Sequence, residues 1–373
     1  MRFTAADHAF MQQALQLATR GLYTTTPNPR VGCVLVKDGV VIGEGWHEKA
    51  GQPHAEINAL GSIEAGGTTP AKVGTGGTAQ GATAYVTLEP CSHHGRTPPC
   101  ADTLIKAGVT RVVAAMQDPN PLVGGQGLAR LAAAGIAVES GLLEAEAREL
   151  NIGFVSRMTR GRPWLRLKVA MSLDGKTALN NGVSQWITSP EARRDAHAWR
   201  ARSCAVLTGF GTVKDDNPRL NVREVVTSRQ PRPVVIDSRL EIPLDARLLE
   251  GGALIFAAGH AAGKMADLAT RGTEVVVLPN ADGKVDLAAM LMELGSRGIN
   301  EVLVEAGTKL NGSLLKSGLV DELLIYQAPV LLGDKARGMA DLPELVELAG
   351  ARRLIITDRR MVGVDQRILA RFA

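Results

Sequence analysis

Aromatic side chains are scarce in this chain: Phe, Trp and Tyr together make up 3% of it. Stacking on unpaired bases needs exposed rings along a basic groove, so the shortage weighs against a surface built for single-stranded nucleic acid. A dominant charge is lacking too. Lys and Arg number 42 against 38 Asp and Glu, and the net charge of +4 suits anionic small molecules without arguing for nucleic acid. Cysteines are few, 4 in all; two belong to the motif described next, which leaves Cys33 and Cys204 as expected buried thiols in a reducing compartment. No stretch is apolar for long enough to span a bilayer. Met1 to Arg20 carries Asp7 and several polar residues, so it is expected to be an amphipathic helix rather than a signal peptide, and a cytoplasmic location follows as the expectation. Internal repeats and charge runs are also missing.

What is present is a parts list for metal-assisted hydrolysis. His54-Ala55-Glu56 is followed by Pro90-Cys91 and then Cys100. One imidazole and two thiolates can hold Zn²⁺ and leave the fourth position to water. Glu56, two residues after His54 in the first turn of an expected helix, can then shuttle a proton to a departing amine. Together these match the signature of zinc deaminases, with one departure: that pattern has two residues between its cysteines, and this chain has eight. A structural zinc site would want a fourth protein ligand, and His93 and His94 lie between the cysteines. A disulfide or a pair of buried thiols is the remaining alternative.

With 373 residues, 45% hydrophobic and 21% charged, the chain is long enough for two domains with separate cores. The first half alternates helices and strands: a helix over 5–18, strands at 31–36 and 40–43, a helix opened by His54, strands at 83–88, 111–115 and 136–139, and helices near 101–107 and 126–134. That pattern predicts a three-layer α/β domain. A Gly, Thr and Ala-rich stretch, 66–81, reads as a surface insertion. Its Gly74-Thr75-Gly76-Gly77-Thr78-Ala79 formally matches a dinucleotide fingerprint, but no strand precedes it and no helix clearly opens from it. Polar residues over 144–162, ending Arg160-Gly161-Arg162-Pro163, mark the junction; the domains are placed at 1–146 and 163–373 with a linker at 147–162.

The second half restarts with a strand at 165–170. Further strands are expected near 205–208, 233–237, 253–257, 274–278, 301–305 and 323–326, and one of the intervening helices spans 190–202, with Ser189 as its N-cap. A mostly parallel sheet follows. The apolar run Val302–Glu305 leads into Gly307 and then Thr308-Lys309-Leu310-Asn311-Gly312-Ser313, a helix start whose free backbone N–H groups suit a phosphate. The Lys that a P-loop carries after its second glycine is missing, which disfavours Mg-nucleotide binding; a simple helix cap is the alternative.

Several longer segments resemble one family, the bifunctional riboflavin-pathway deaminase–reductases. Leu88–Cys100, with the run Leu88-Glu89-Pro90-Cys91-Ser92-His93-His94-Gly95-Arg96-Thr97-Pro98-Pro99-Cys100, carries the resemblance, as do Pro27–Gly32 and Asp118–Pro121. Met171–Lys176 and Ser184–Thr188 extend it through the second half. The resemblance implies an α/β protein with an N-terminal cytidine-deaminase-like three-layer domain and a C-terminal dihydrofolate-reductase-like domain. It also implies zinc on His54, Cys91 and Cys100, Glu56 as the catalytic acid–base, and NADPH in the second domain. Ala170, Trp186, Thr212, Asp216 and Ser238 would line the NADPH groove, with Gly307, Thr308, Lys309, Leu310, Asn311, Gly312 and Ser313 around the pyrophosphate. Ser238-Arg239 could hold the 2′-phosphate, the reason for expecting NADPH over NADH. Ser184, Arg200, Leu220, Arg223 and Glu305 match positions that bind the ribosyl phosphate substrate.

Lys168 and Asp216 are candidates for steering protons during reduction, and Asn28 for hydrogen bonding the pyrimidine. His94 and Arg96 are candidates for packing on the ring or meeting the phosphate, while Asp118 and Asn120 are expected to shape a loop. Trp186 as core, Arg239 as a surface charge and Arg200 as part of a solvated helix face are the plainer alternatives. The partners expected are a phosphoribosyl pyrimidine and other copies of this chain, with no nucleic acid and no membrane. Two rival functions are a nucleic-acid base deaminase, which would want a basic aromatic groove and short cysteine spacing, and a zinc-stabilised binding module without turnover.

Overall fold

The computed structural model describes residues 3–64, 79–93 and 98–373, and the chain divides into two compact units, Met1–Gly161 and Arg162–Ala373. His94, Arg96 and residues 66–78 of the glycine-rich stretch lie outside the described residues.

The first unit runs α1 (Ala5–Thr19), β1 (Gly32–Lys37), β2 (Val40–Trp46), α2 (Ala55–Glu64), β3 (Thr83–Val86), α3 (Cys100–Lys106), β4 (Arg111–Ala114), α4 (Gln126–Ala133), β5 (Ala137–Ser140), α5 (Glu144–Leu150) and α6 (Ile152–Arg160). Its sheet has the order β2-β1-β3-β4-β5, antiparallel at β2-β1-β3 and parallel from β3 onwards. Alternation along the strands divides the apolar side chains between two cores. Cys33, Leu35, Ala84, Val86 and Val112 meet α2, α3 and α4 on one face, whereas Val34, Val36 and Val113 meet α1 and α5 on the other. This is the expected three-layer arrangement. Thr4 and Asp7 form a capping box that starts α1, and Asp7 also accepts from Tyr85 Oη at 2.7 Å and Arg111 Nη1 at 2.6 Å, tying the helix to the sheet.

The stretch expected as a linker, 147–162, is helical as far as Arg160 and belongs to the first unit. The reason is a pair of hydrogen bonds no local pattern announces. Arg30 N–H donates to Asn151 Oδ1 at 2.8 Å, and Asn151 Nδ2 donates back to the Arg30 carbonyl at 2.9 Å. The chain therefore leaves this unit only at Gly161, whose φ of 71° closes α6.

The second unit contains β6 (Trp164–Ser172), β7 (Lys176–Ala178), α7 (Pro190–Arg202), β8 (Ala205–Gly209), α8 (Phe210–Asp216), β9 (Arg232–Ile236), β10 (Leu254–Ala257), α9 (Ala262–Ala269), β11 (Glu274–Val277), α10 (Leu287–Ser296), β12 (Glu301–Val304), α11 (Thr308–Lys316), β13 (Glu322–Ala328), β14 (Arg337–Gly338), β15 (Leu354–Val362) and β16 (Asp365–Phe372). The main sheet is ordered β11-β10-β9-β8-β12-β6-β13-β16-β15, parallel throughout except for the C-terminal hairpin of β15 and β16, which the sequence reading did not anticipate. Leu165, Leu167, Val302 and Val304 pack on α10 and α11, and the opposite face takes α7, α8 and α9. In a parallel sheet of this kind, ligands gather at the carboxyl ends of the strands.

Candidate active sites

In the first unit, His54 stands immediately before α2, and its carbonyl accepts the first helical N–H, from Asn58 at 3.1 Å. Cys91 lies beyond the end of β3, and Cys100 is the first residue of α3. Their ligand atoms converge: His54 Nδ1 is 3.7 Å from Cys91 Sγ and 3.3 Å from Cys100 Sγ, and all three fall within 4.8 Å of one another. Zinc bond lengths to nitrogen and sulfur put tetrahedral ligand atoms roughly 3.5–3.8 Å apart, so the spacing fits that ion. The backbone N–H of Cys100 donates to Cys91 Sγ at 3.3 Å, as a helix start facing a thiolate should. Cys91 and Cys100 are both unbridged thiols, so no disulfide joins them. His93 is exposed and does not join the ligand group; among the described residues no fourth side chain does.

The electrostatics follow from crowding these groups. Hydrogen bonding with Cys100, together with that from His54, holds the Cys91 thiol down to about 4 against the opposing effect of burial. Cys100 is pushed well above its ordinary value by the same pairing and by burial. Glu56, 3% exposed, is pushed up to about 7 by burial, partly opposed by the charge of His54. A carboxyl near neutrality can both take and return a proton.

His54, Glu56 and Cys91 open on a cavity of about 250 Å³ that is also lined by Asn28, His47, Asp118, Asn120, Phe154 and Met158. Asp118 and Asn120 shape the loop above it: Asn120 N–H donates to Asp118 Oδ1 and Leu122 N–H to Asn120 Oδ1. Sequence reasoning quoted Glu89 within a motif but gave it no role. Its buried carboxylate accepts four backbone N–H groups, from Asp118 at 3.0, Gly125 at 2.8, Gly127 at 2.8 and Leu128 at 3.2 Å, and so pins that loop and the start of α4 beside Cys91. Phe154 and Met158 come from the expected linker, and a pair of bulky apolar residues four apart on a helix was the signal available for them.

In the second unit a cavity of about 330 Å³ sits at the carboxyl ends of β6, β8 and β12. It gathers Lys168, Ala170, Ser184, Trp186, Thr212, Asp216, Glu305, Gly307, Thr308 and Asn311 from the expected set. Trp186 is 69% exposed with the Arg193 guanidinium 4.4 Å from its ring centre, so it is not core. Gly307 caps α11 with no side-chain hydrogen bond, and a Cβ there would meet only Thr212 Oγ1 at 3.8 Å. Open donors at the end of a nine-residue helix fit the pyrophosphate of a dinucleotide. The rest of that run is spent otherwise. Asn311 N–H is taken by the Gly307 carbonyl, Leu310 packs against the core, and a Cβ on Gly312 would fall 2.2 Å from the Asp341 carbonyl oxygen. Lys309 and Ser313 are exposed, with Ser313 Oγ donating to the Lys309 carbonyl. Ser238 follows β9 and accepts from Val285 N–H, while Arg239 pairs with Glu241 at 3.0 Å.

Arg200 is no solvated surface charge: its Nε and Nη2 clamp Glu305 at 2.6 and 2.9 Å. Lys168 Nζ lies 3.9 Å from the same carboxylate. Burial would raise the Glu305 pKa, but Arg200 and Lys168 hold it down to about 2. Burial depresses Lys168, in the direction a proton-donating amine requires. Leu220 adopts a φ of 55° and is buried, so only its main chain can meet a ligand. The neighbouring Arg223 donates its N–H to His197 Nδ1 at 3.2 Å. His197 was missed in sequence, although it lies three residues before Arg200 on α7 and so shares its face. Burial and the charges of Arg200 and Arg223 bring it down to about 4, which leaves it neutral and able to accept that bond.

Residues 4–116 match the cytidine and deoxycytidylate deaminase zinc-binding region, and residues 163–365 match the RibD C-terminal domain. The chain is 48% identical over 372 residues to the riboflavin biosynthesis protein RibD of Escherichia coli, covering 96% of this chain and 97% of that protein. It is 46% identical to RibD of Haemophilus influenzae, covering 98% and 97%. Among solved structures, RibD of Acinetobacter baumannii matches with a TM-score of 0.88 at 44% identity, covering 99% of each chain. The diaminohydroxyphosphoribosylaminopyrimidine deaminase/5-amino-6-(5-phosphoribosylamino)uracil reductase of Thermotoga maritima matches at 0.85 and 32%, also over 99% of each.

Proposed function

The chain belongs to the family of bifunctional riboflavin-biosynthesis proteins that join a zinc-dependent deaminase to a reductase, and from that premise we propose which of its residues carry each step. It is an enzyme with two activities. The first hydrolytically deaminates 2,5-diamino-6-(5-phosphoribosylamino)pyrimidin-4-one, and the second reduces the ribosyl group of the resulting 5-amino-6-(5-phosphoribosylamino)uracil to ribityl with NADPH. Membership in this family sets aside the nucleic-acid deaminase reading.

His54, Cys91 and Cys100 hold the zinc, which when bound supplies the Lewis acidity that makes water a nucleophile at neutral pH. Glu56 takes the proton of the attacking water and returns it to the amine, which leaves as ammonia as the ring carbon gains its carbonyl. Asn28 hydrogen-bonds the pyrimidine, and the loop pinned by Glu89 closes one wall. In the second unit, NADPH when bound supplies the hydride. Gly307, Thr308 and the first turn of α11 would take its pyrophosphate, and Ala170, Trp186, Thr212 and Asp216 would line the rest of its groove. Ser184, Arg200, Arg223 and the Leu220 main chain take the ribosyl phosphate, Glu305 orients Arg200, and Lys168 gives the proton that accompanies hydride transfer.

The clustering of three ligand atoms, with His54, Cys91 and the buried Glu56 lining one cavity, carries this reading. Its test is Glu56→Gln with ammonia release and NADPH oxidation followed separately. We expect ammonia release to fall by about 10²–10⁴-fold, with zinc content and NADPH oxidation on the uracil substrate unchanged. Undiminished ammonia release would instead support a zinc-stabilised scaffold.

Three coarser features belong to the same reading. The first domain extends to Gly161. The protein works in the cytoplasm, in keeping with the reduced, unbridged Cys33, Cys91 and Cys100. It forms a homo-oligomer through β15, an edge strand on which Ile355 is 57% and Ile356 55% exposed. Ile355→Lys is expected to lower the sedimenting mass, and a wild-type chain that sediments as a monomer would refute the last point.

A further inference from the structure

Two cavity residues outside the metal ligands, Asn28 and His47, are joined in a way that decides what the wall offers to a ligand. His47 Nδ1 lies 3.0 Å from the Pro53 carbonyl oxygen, and His47 Nε2 lies 3.1 Å from Asn28 Nδ2. A carbonyl oxygen can only accept, so Nδ1 carries the hydrogen. In the neutral ring Nε2 is then an acceptor. The group that Asn28 turns towards it must therefore be its NH₂, because the amide oxygen would set two lone pairs against each other. Asn28 Oδ1 has no partner among the described residues and is left as a hydrogen-bond acceptor on the cavity it lines. The imidazole itself has little freedom, being 2% exposed and packed edge-to-face on His54 with ring centres 5.4 Å apart.

We propose that His47 is a positioning residue for the deamination, locking the Asn28 amide so that the wall presents an acceptor to an N–H of the pyrimidine. This rests on the reading of the cavity as the deaminase site. Without the Nε2 acceptor the amide can rotate, and on average it offers the wrong group for part of the time. The cost falls on substrate binding, since the contact exists in ground state and transition state alike.

A double-mutant cycle on the full zinc-loaded chain tests this, with KM and kcat for ammonia release and zinc per chain as readouts. In His47→Asn the shorter amide keeps a donor near Pro53 but has nothing at the Nε2 position. KM is expected to rise about tenfold, the weight of one hydrogen bond, with kcat and zinc little changed. His47→Gln, whose Oε1 reaches the Nε2 position, is expected to recover most of that loss. In an Asn28→Ala background His47→Asn should add less than about a twofold change, because its effect passes through Asn28. The proposal is overturned if His47→Asn costs the same factor in both backgrounds, if the Gln variant is no better than the Asn variant, or if zinc is lost with the ring. If the wild type releases no ammonia from the pyrimidine, the deaminase reading itself fails and the proposal falls with it; an additive cycle in a wild type that does release ammonia removes the proposal alone.

Discussion

Burial acts on the two key carboxylates in the same direction, and their neighbours decide the outcome. At Glu56 burial prevails and the carboxyl rises to about 7. At Glu305 burial is outweighed by Arg200 and Lys168, and the carboxyl sits at about 2 against an ordinary 4.5. The sign of the resulting pH dependence is fixed by that lowering. Above the unfolded value the Glu305 contribution to stability is fully present, and it is lost as pH falls from 4.5 towards about 2, because the unfolded chain takes up its proton first. The gap in thermal midpoint between wild type and Glu305→Gln should therefore narrow between about pH 6 and about pH 3; a constant gap would mean that the pairing with Arg200 carries no net weight. At this scale the candidate metal cluster was legible because His54 with Glu56, and Cys91 with Cys100, are each close in sequence. His47, Glu89 and His197 were not, since their roles consist of hydrogen bonds to residues 19, 29–39 and 26 positions away.

At the level of elements, the deaminase site depends on how tightly α2 lies on β2. A Cβ at Gly45 would stand 2.3 Å from the Ala59 nitrogen and 2.5 Å from the Ala55 carbonyl oxygen, and one at Gly43 would stand 2.4 Å from the Ala59 carbonyl oxygen. Both contacts are with helix backbone, which cannot yield without moving Glu56 and the preceding His54. Gly45→Ala is expected to cost about 1–3 kcal/mol through overpacking and to weaken zinc retention. Calorimetry with metal analysis checks both, and a variant that melts and binds zinc like the wild type would show that α2 can shift freely. The same scale exposes what strand patterns missed. Residues 354–372 form β15, the Gly363 turn and β16; the β-branched Ile355-Ile356-Thr357 was a strand signal, but Asp365–Phe372 does not alternate polar with apolar residues and so gave none. Much of β15 is exposed, so burial gave its pattern little contrast.

For the whole molecule, the decisive fact is that each unit closes its own apolar cores, with the His54, Cys91 and Cys100 cluster in the first and the cavity at the ends of β6, β8 and β12 in the second. Chelation of zinc is accordingly expected to abolish ammonia release while NADPH oxidation on the uracil substrate persists; joint loss of both would show that the two units are energetically coupled. From the sequence alone came the family, the order of the two domains, the mostly parallel sheet of the second and the His54, Cys91 and Cys100 cluster that could hold a metal. Those follow from periodicity and from short motifs, and both are written in neighbouring residues. Tertiary structure alone decided that α5 and α6 complete the first unit, that Phe154 and Met158 wall its cavity, and that Glu305 holds Arg200 through two hydrogen bonds. It also decided which hydrogen-bonding atom Asn28 turns outward. Each of these depends on atoms brought together from distant parts of the chain, where the energy of a contact is set by distance and burial that no local pattern encodes.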